Sequence, residues 1–158
     1  MNDLLLQTFL NYQLLLVLIA LVLSLKFKLE SGSWFSVVTL SSFLISFIVT
    51  PFLYEYDTAK FYRYFFWAFN DIVWMSAIAI LGIKDRISLR LSVTAQLIFI
   101  PVILIQLFKI VDKHFLDYEL IDSIYKTIIP LSNTLVVLLC FAPLAFRFFI
   151  AKQKQLAN

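Results

Sequence analysis

Two glycines, four prolines, one cysteine and one histidine are spread through 158 residues, and only 15% of the chain is charged. Each scarcity excludes something. Without glycine there is no Gly-rich loop to cradle a phosphate and no flexible linker between domains. Cys140, standing alone, cannot close an intramolecular disulfide; in an apolar run it reads as a small packing residue. His114 lies three positions before Asp117, but one histidine among scattered acids is too little for a metal site. Neither HExxH nor GxSxG occurs. The sequence therefore points away from an enzyme and implies no metal and no cofactor. Soluble domains carry about 25% charged residues; a chain with so few leaves no surface for a basic patch, which excludes nucleic acid as a partner.

What the chain has instead is apolar length: 62% of its residues are hydrophobic. Charge-free runs cover residues 4–25, 31–54, 91–108 and 127–146, and a fifth, 64–83, is broken only by Asp71. Runs of about 18 or more such residues are the mark of transmembrane helices. The expected fold is all-α: a polytopic integral membrane protein of five transmembrane helices, about 4–25, 34–54, 61–83, 88–111 and 124–150. They form one bundle over 1–158, with no soluble domain.

Charge at the helix ends sets the orientation. Lys26, Lys28, Lys84, Arg86, Arg90, Arg147, Lys152 and Lys154 fall on one side, against Lys60, Arg63, Lys109, Lys113 and Lys126 on the other, where most of the acids lie. The richer side is expected to be cytosolic, placing the N-terminus outside and the C-terminus in the cytosol. Helix one lacks a basic segment ahead of its apolar run, so it is expected to be retained rather than removed as a signal peptide. A multi-pass protein of the cell membrane, in a bacterial inner membrane, is the expectation.

Within the spans the polar residues are patterned. Thr39, Ser42, Ser46 and Thr50 recur at spacings of three and four, one stripe of a helix. Such a stripe lines either a pore or a packing seam, and small hydroxyl residues favour the seam. Ser33 is a candidate N-cap for helix two and Asp57 for helix three; Pro51 is expected to bend or end helix two, and Pro101 to kink helix four. The connection from Asp112 to Lys126 mixes acids with aromatic and aliphatic residues, as an interfacial helix would.

Asp71 organises the functional reading, because a carboxylate inside a span costs roughly 2.5 to 3.5 kcal/mol even on a lenient insertion scale. Side chains tilt toward a helix N-terminus, so Asp71 on descending helix three and Lys109 on ascending helix four lean toward each other, and a pair between them is expected. Asp71, Asn70, Lys109, Gln106 and Asn133 form the candidate ion or proton site. Trp67, Trp74, Asn11 and Thr50 are the expected lining of a polar hollow in the outer half of the bilayer. The function this implies is an ion or proton pathway, channel-like or transporter-like, in a homo-oligomer. The alternative is a membrane subunit or sensor that acts on a soluble or membrane partner through a basic cytosolic rim of Lys84, Arg86, Arg90, Arg147, Lys152 and Lys154. The bilayer itself is the first partner, with anionic headgroups against that rim.

Overall fold

The computed structural model describes residues 3–57, 61–115 and 119–156. Five helices follow one another: α1 Asp3–Lys26, α2 Glu30–Tyr56, α3 Phe61–Ile83, α4 Leu89–Phe115 and α5 Glu119–Leu156. Long apolar runs with few breakers form helices because a helix satisfies its own backbone donors and acceptors without water. α1 packs on α2 and α5, α2 on α3, α3 on α4 and α4 on α5, while α2 also touches α5. The result is a closed ring around a core of Val17, Phe35, Trp74, Ile78, Phe99, Val102, Val136 and Cys140.

The outside of the ring is apolar as well. Val22, Ile48, Phe69, Leu97 and Leu138 are all exposed, a surface that suits lipid and would be an aggregation hazard in water. Among the described residues four helices carry stretches long and apolar enough to cross a membrane: Glu30–Tyr56, Phe61–Ile83, Leu89–Asp112 and Ile121–Phe149. The described apolar part of α1, Tyr12–Lys26, is shorter. α1 turns Val17, Ala20 and Ser24 inward and leaves Leu15, Leu18, Val22 and Leu25 exposed.

Several local expectations are corrected. Leu29, not Ser33, precedes the first residue of α2. The Ser33 hydroxyl instead donates back to Leu29 O at 3.0 Å within the helix. Pro51 does not end α2, which continues to Tyr56, and Pro101, Pro130 and Pro143 also lie inside helices. The expected interfacial helix between spans four and five is not a separate element: α4 runs on to Phe115 and α5 begins at Glu119. Asp57 does cap α3, its two carboxylate oxygens accepting from the backbone N–H of Phe61 (3.1 Å) and Arg63 (2.7 Å).

The two glycines are placed at helix contacts and not at turns. A Cβ on Gly32 would stand 2.8 Å from Ser24 Oγ and 3.3 Å from the Pro143 ring, and one on Gly82 would stand 2.7 Å from Ser92 Oγ. Consequently the tight α1–α2 and α3–α4 turns do without glycine. Lys28 and Asp85 take left-handed backbone angles, φ 54° and 55°. Each closes a Schellman pair of hydrogen bonds: Leu29 N to Ser24 O with Lys28 N to Leu25 O, and Arg86 N to Leu81 O with Asp85 N to Gly82 O. Arg86 bonds Glu30 (2.7 Å), the Ser88 amide donates to Ser31 Oγ (2.9 Å), and Arg147 donates to Phe27 O. These ties gather both turns and α5 at one basic end of the bundle, opposite the acidic end that holds Asp57, Asp112 and Asp122.

Candidate functional site

Asn70 and Asp71 are neighbours in sequence but about 100° apart around α3, and the fold sends them to different partners. Asn70 is buried against α2. Its amide nitrogen donates to Ser42 Oγ at 2.8 Å and Ser46 Oγ at 3.2 Å. The same face of α3 continues the pattern in both directions: Trp74 Nε1 donates to Thr39 Oγ1 (3.2 Å) and Trp67 Nε1 to Thr50 Oγ1 (3.5 Å). Thr39 in turn donates its own hydroxyl hydrogen to Phe35 O at 2.9 Å. The hydroxyl stripe of α2 is thus a packing seam, with every hydroxyl accepting from an α3 donor. Each interhelical bond of this kind is worth about 0.6 kcal/mol in a membrane protein. Trp67, Trp74 and Thr50, expected along a hollow, are members of this seam.

Asp71 turns the other way, to α4. Gln106 Nε2 donates to Asp71 Oδ2 at 2.8 Å. The expected pair with Lys109 is replaced by a different one. Lys109 Nζ lies 2.8 Å from Asp112 Oδ2 on its own helix and 3.1 Å from Asp122 Oδ1 on α5. Asp122 also holds Lys126 at 2.5 Å. A lysine near the end of α4 reaches a carboxylate one turn away, and a second one across the α4–α5 contact, in place of the deeper one on α3. Two lysines and two aspartates are linked in a row, Asp112–Lys109–Asp122–Lys126, a quartet whose formal charges cancel. That leaves Asp71 with a neutral amide as its described partner.

α4 organises both groups. Ser92, Ala95, Phe99, Val102, Gln106, Lys109 and Asp112 are all buried and recur every three or four residues, so one stripe faces the bundle along the whole helix. Beyond Ser92 its lower part is apolar, and its last two turns are polar: Gln106 and Lys109 are each 2% exposed and Asp112 is fully buried. Among the described residues the Gln106 carbonyl oxygen has no hydrogen-bond partner, a deficit usually costing about 1 to 3 kcal/mol in a buried site. Beside them, Tyr64 packs edge-on against Tyr125 at 5.3 Å and against Trp67 at 5.8 Å. Arg63 lies 4.5 Å over the Tyr54 ring.

Toward the basic end the path below Asp71 is filled. Trp74 packs at a tilt against Phe99 at 4.6 Å and meets Phe35 edge-on at 6.0 Å, with Ile78, Val102 and Val136 packed around them. Of the remaining candidates, Asn133 is half-buried on α5, and no hydrogen bond joins it to Asp71 among the described residues. The side chain of Asn11 lies outside the described residues, as do those of His114, Lys152 and Lys154 and all of Asp117. In the basic rim Arg86 and Arg147 are engaged in the helix-end ties described above, while Lys84 and Arg90 are exposed.

Asp112, Asp122 and Lys126 were absent from the sequence-derived site. Two signals for them were present: Gln106, Lys109 and Asp112 at successive spacings of three, and Asp122 with Lys126 at a spacing of four. Among the described residues no group of three or more His, Cys, Asp or Glu could hold a metal ion. The chain matches no family model, no curated protein and no solved structure.

Proposed function

We propose that the chain is a five-span membrane protein, N-terminus outside and C-terminus in the cytosol, in which Asp71 is the exchangeable proton or cation site of an ion pathway. One observation carries this reading. Among the described residues Lys109, the cation expected to neutralise Asp71, is already held by Asp112 and Asp122, no ion pair reaches Asp71, and its hydrogen-bond partner, Gln106, is neutral. A carboxylate in a low-dielectric span needs its charge compensated, and where no fixed cation does so a proton or a mobile cation must. Gln106 then orients the carboxylate, and the Lys109 quartet lies between it and the outer surface as a neutral, polar approach. A bacterial inner membrane and a homo-oligomer remain the setting for this reading.

The aromatic plug at Trp74 favours a second reading. With the way to the basic end closed by Phe35, Trp74 and Phe99, occupation of Asp71 could be reported across the membrane by helix movement rather than followed by passage. The protein would then be a sensor or subunit that acts on a partner through Lys84, Arg90 and the neighbouring basic residues.

Flux through liposomes reconstituted with pure protein separates the two. On the pathway reading, wild type dissipates a proton or monovalent-cation gradient and Asp71→Asn does not, while Asn70→Ala, which touches only the seam, retains flux in whatever protein remains folded. Wild-type liposomes as tight as protein-free ones would remove the pathway reading. Equal flux from Asp71→Asn would remove Asp71 from it.

A further inference from the structure

Far from Asp71, at the basic end, the outer faces of α1 and α2 diverge to leave an open groove of about 510 Å³ lined by Leu25, Lys28, Glu30, Ser33, Trp34 and Val37. Its walls and its mouth differ in chemistry. Leu25, Trp34 and Val37 are large apolar side chains left exposed, whereas Lys28 projects from the left-handed turn residue between the two helices. Among the described residues Lys28 forms no ion pair, and the acid in the groove, Glu30, is already neutralised by Arg86 at 2.7 Å. The groove therefore presents one uncompensated positive charge at the edge of an apolar trough. Trp34 beside it is an indole of the kind that settles at the headgroup level.

We propose that this groove binds an anionic phospholipid, its phosphate on the Lys28 ammonium and the head of one acyl chain along Leu25, Trp34 and Val37. A soluble anion would leave the apolar walls uncovered, and a zwitterionic lipid would bring a cationic headgroup group toward Lys28; an anionic lipid satisfies both parts at once. The site stands apart from the Asp71 reading and does not depend on it.

The test uses the full chain in vesicles of phosphatidylcholine containing small, equal mole fractions of acyl-brominated phosphatidylglycerol or acyl-brominated phosphatidylcholine, with tryptophan fluorescence as the readout. Bromine quenches on contact, and Trp74, 3% exposed in the core, is shielded from it. Brominated phosphatidylglycerol is expected to quench with an apparent preference of about fivefold, the worth of one lysine near a membrane surface. Trp34→Phe should remove the selectively quenched component. Lys28→Gln should abolish the preference, while Lys26→Gln, which alters an exposed lysine at the same end but outside the groove, should retain it; circular dichroism of each variant verifies the helical fold. Equal quenching by the two lipids in wild type overturns the proposal. So does an equal loss in Lys26→Gln, which would mean general surface charge, or displacement by millimolar glycerol 3-phosphate, which would mean a soluble-anion site.

Discussion

Replacing Lys109 by methionine removes the ammonium from the quartet while keeping a side chain of similar length, and the structure sets the size of the effect. On one side stands Asp112, whose side chain is fully buried at 2.8 Å; on the other stands Asp122, 40% exposed at 3.1 Å and still held by Lys126. Breaking a buried pair by removing one partner costs about 3 to 5 kcal/mol, whereas an exposed pair is worth about 0 to 1. Because the Asp122 side is open, nearly all of the loss falls on Asp112, and the lower end of the range, about 3 kcal/mol, is expected. The assay is unfolding of the detergent-solubilised protein, by heat or by titration with a denaturing detergent. A second substitution separates charge from packing: Asp112→Asn in the Lys109→Met background takes away the buried carboxylate that has lost its lysine and should recover part of the loss, about 1 to 2 kcal/mol. Should Lys109→Met prove as stable as wild type, or should Asp112→Asn add to the damage instead of reversing it, Lys109 is not committed to Asp112 and Asp122. The lysine would then be available to compensate Asp71.

Two further outcomes follow from the glycine shortage. Gly82→Ala places a methyl 2.7 Å from Ser92 Oγ and 2.9 Å from Ser92 Cβ, so it should destabilise the α3–α4 contact by about 1 to 3 kcal/mol; adding Ser92→Gly should return part of that, and full stability of the single variant would contradict the close approach. Asp85→Gly, at a left-handed position with φ 55°, should raise stability by about 0.5 to 1 kcal/mol, measured by the same unfolding assay; a loss would mean that the Asp85 side chain does more than occupy the turn.

The helices were legible because the forces that make them are local. Apolar runs of bilayer length, interrupted by short basic or acidic turns, leave the backbone no alternative to intrahelical bonding, and α3, Phe61–Ile83, is the span expected at 61–83. The seam was legible for the same reason: Thr39, Ser42, Ser46 and Thr50 on one helix, and Trp67, Asn70 and Trp74 on the next, are periodic in the sequence before they ever meet. Asp57 could be named as a cap from its position alone.

Pairing across helices was another matter. That Asp71 would need a partner follows from one residue in an apolar run, since the cost of taking a carboxylate out of water into a span arises whatever the arrangement of the other helices. Which partner it gets depends on the rotation of α3 and α4 about their axes and on how far α5 extends toward its N-terminus. Lys109 was assigned to Asp71 because the two side chains tilt toward each other along α3 and α4; α5, expected from 124, begins at Glu119, and its Asp122 lies 3.1 Å from the lysine. Composition decided that this is a helical, lipid-compatible chain carrying a carboxylate where few are tolerated. Only the packed bundle decided that the nearby ammonium is spoken for, because Coulomb energy falls off with distances that no one-dimensional spacing contains.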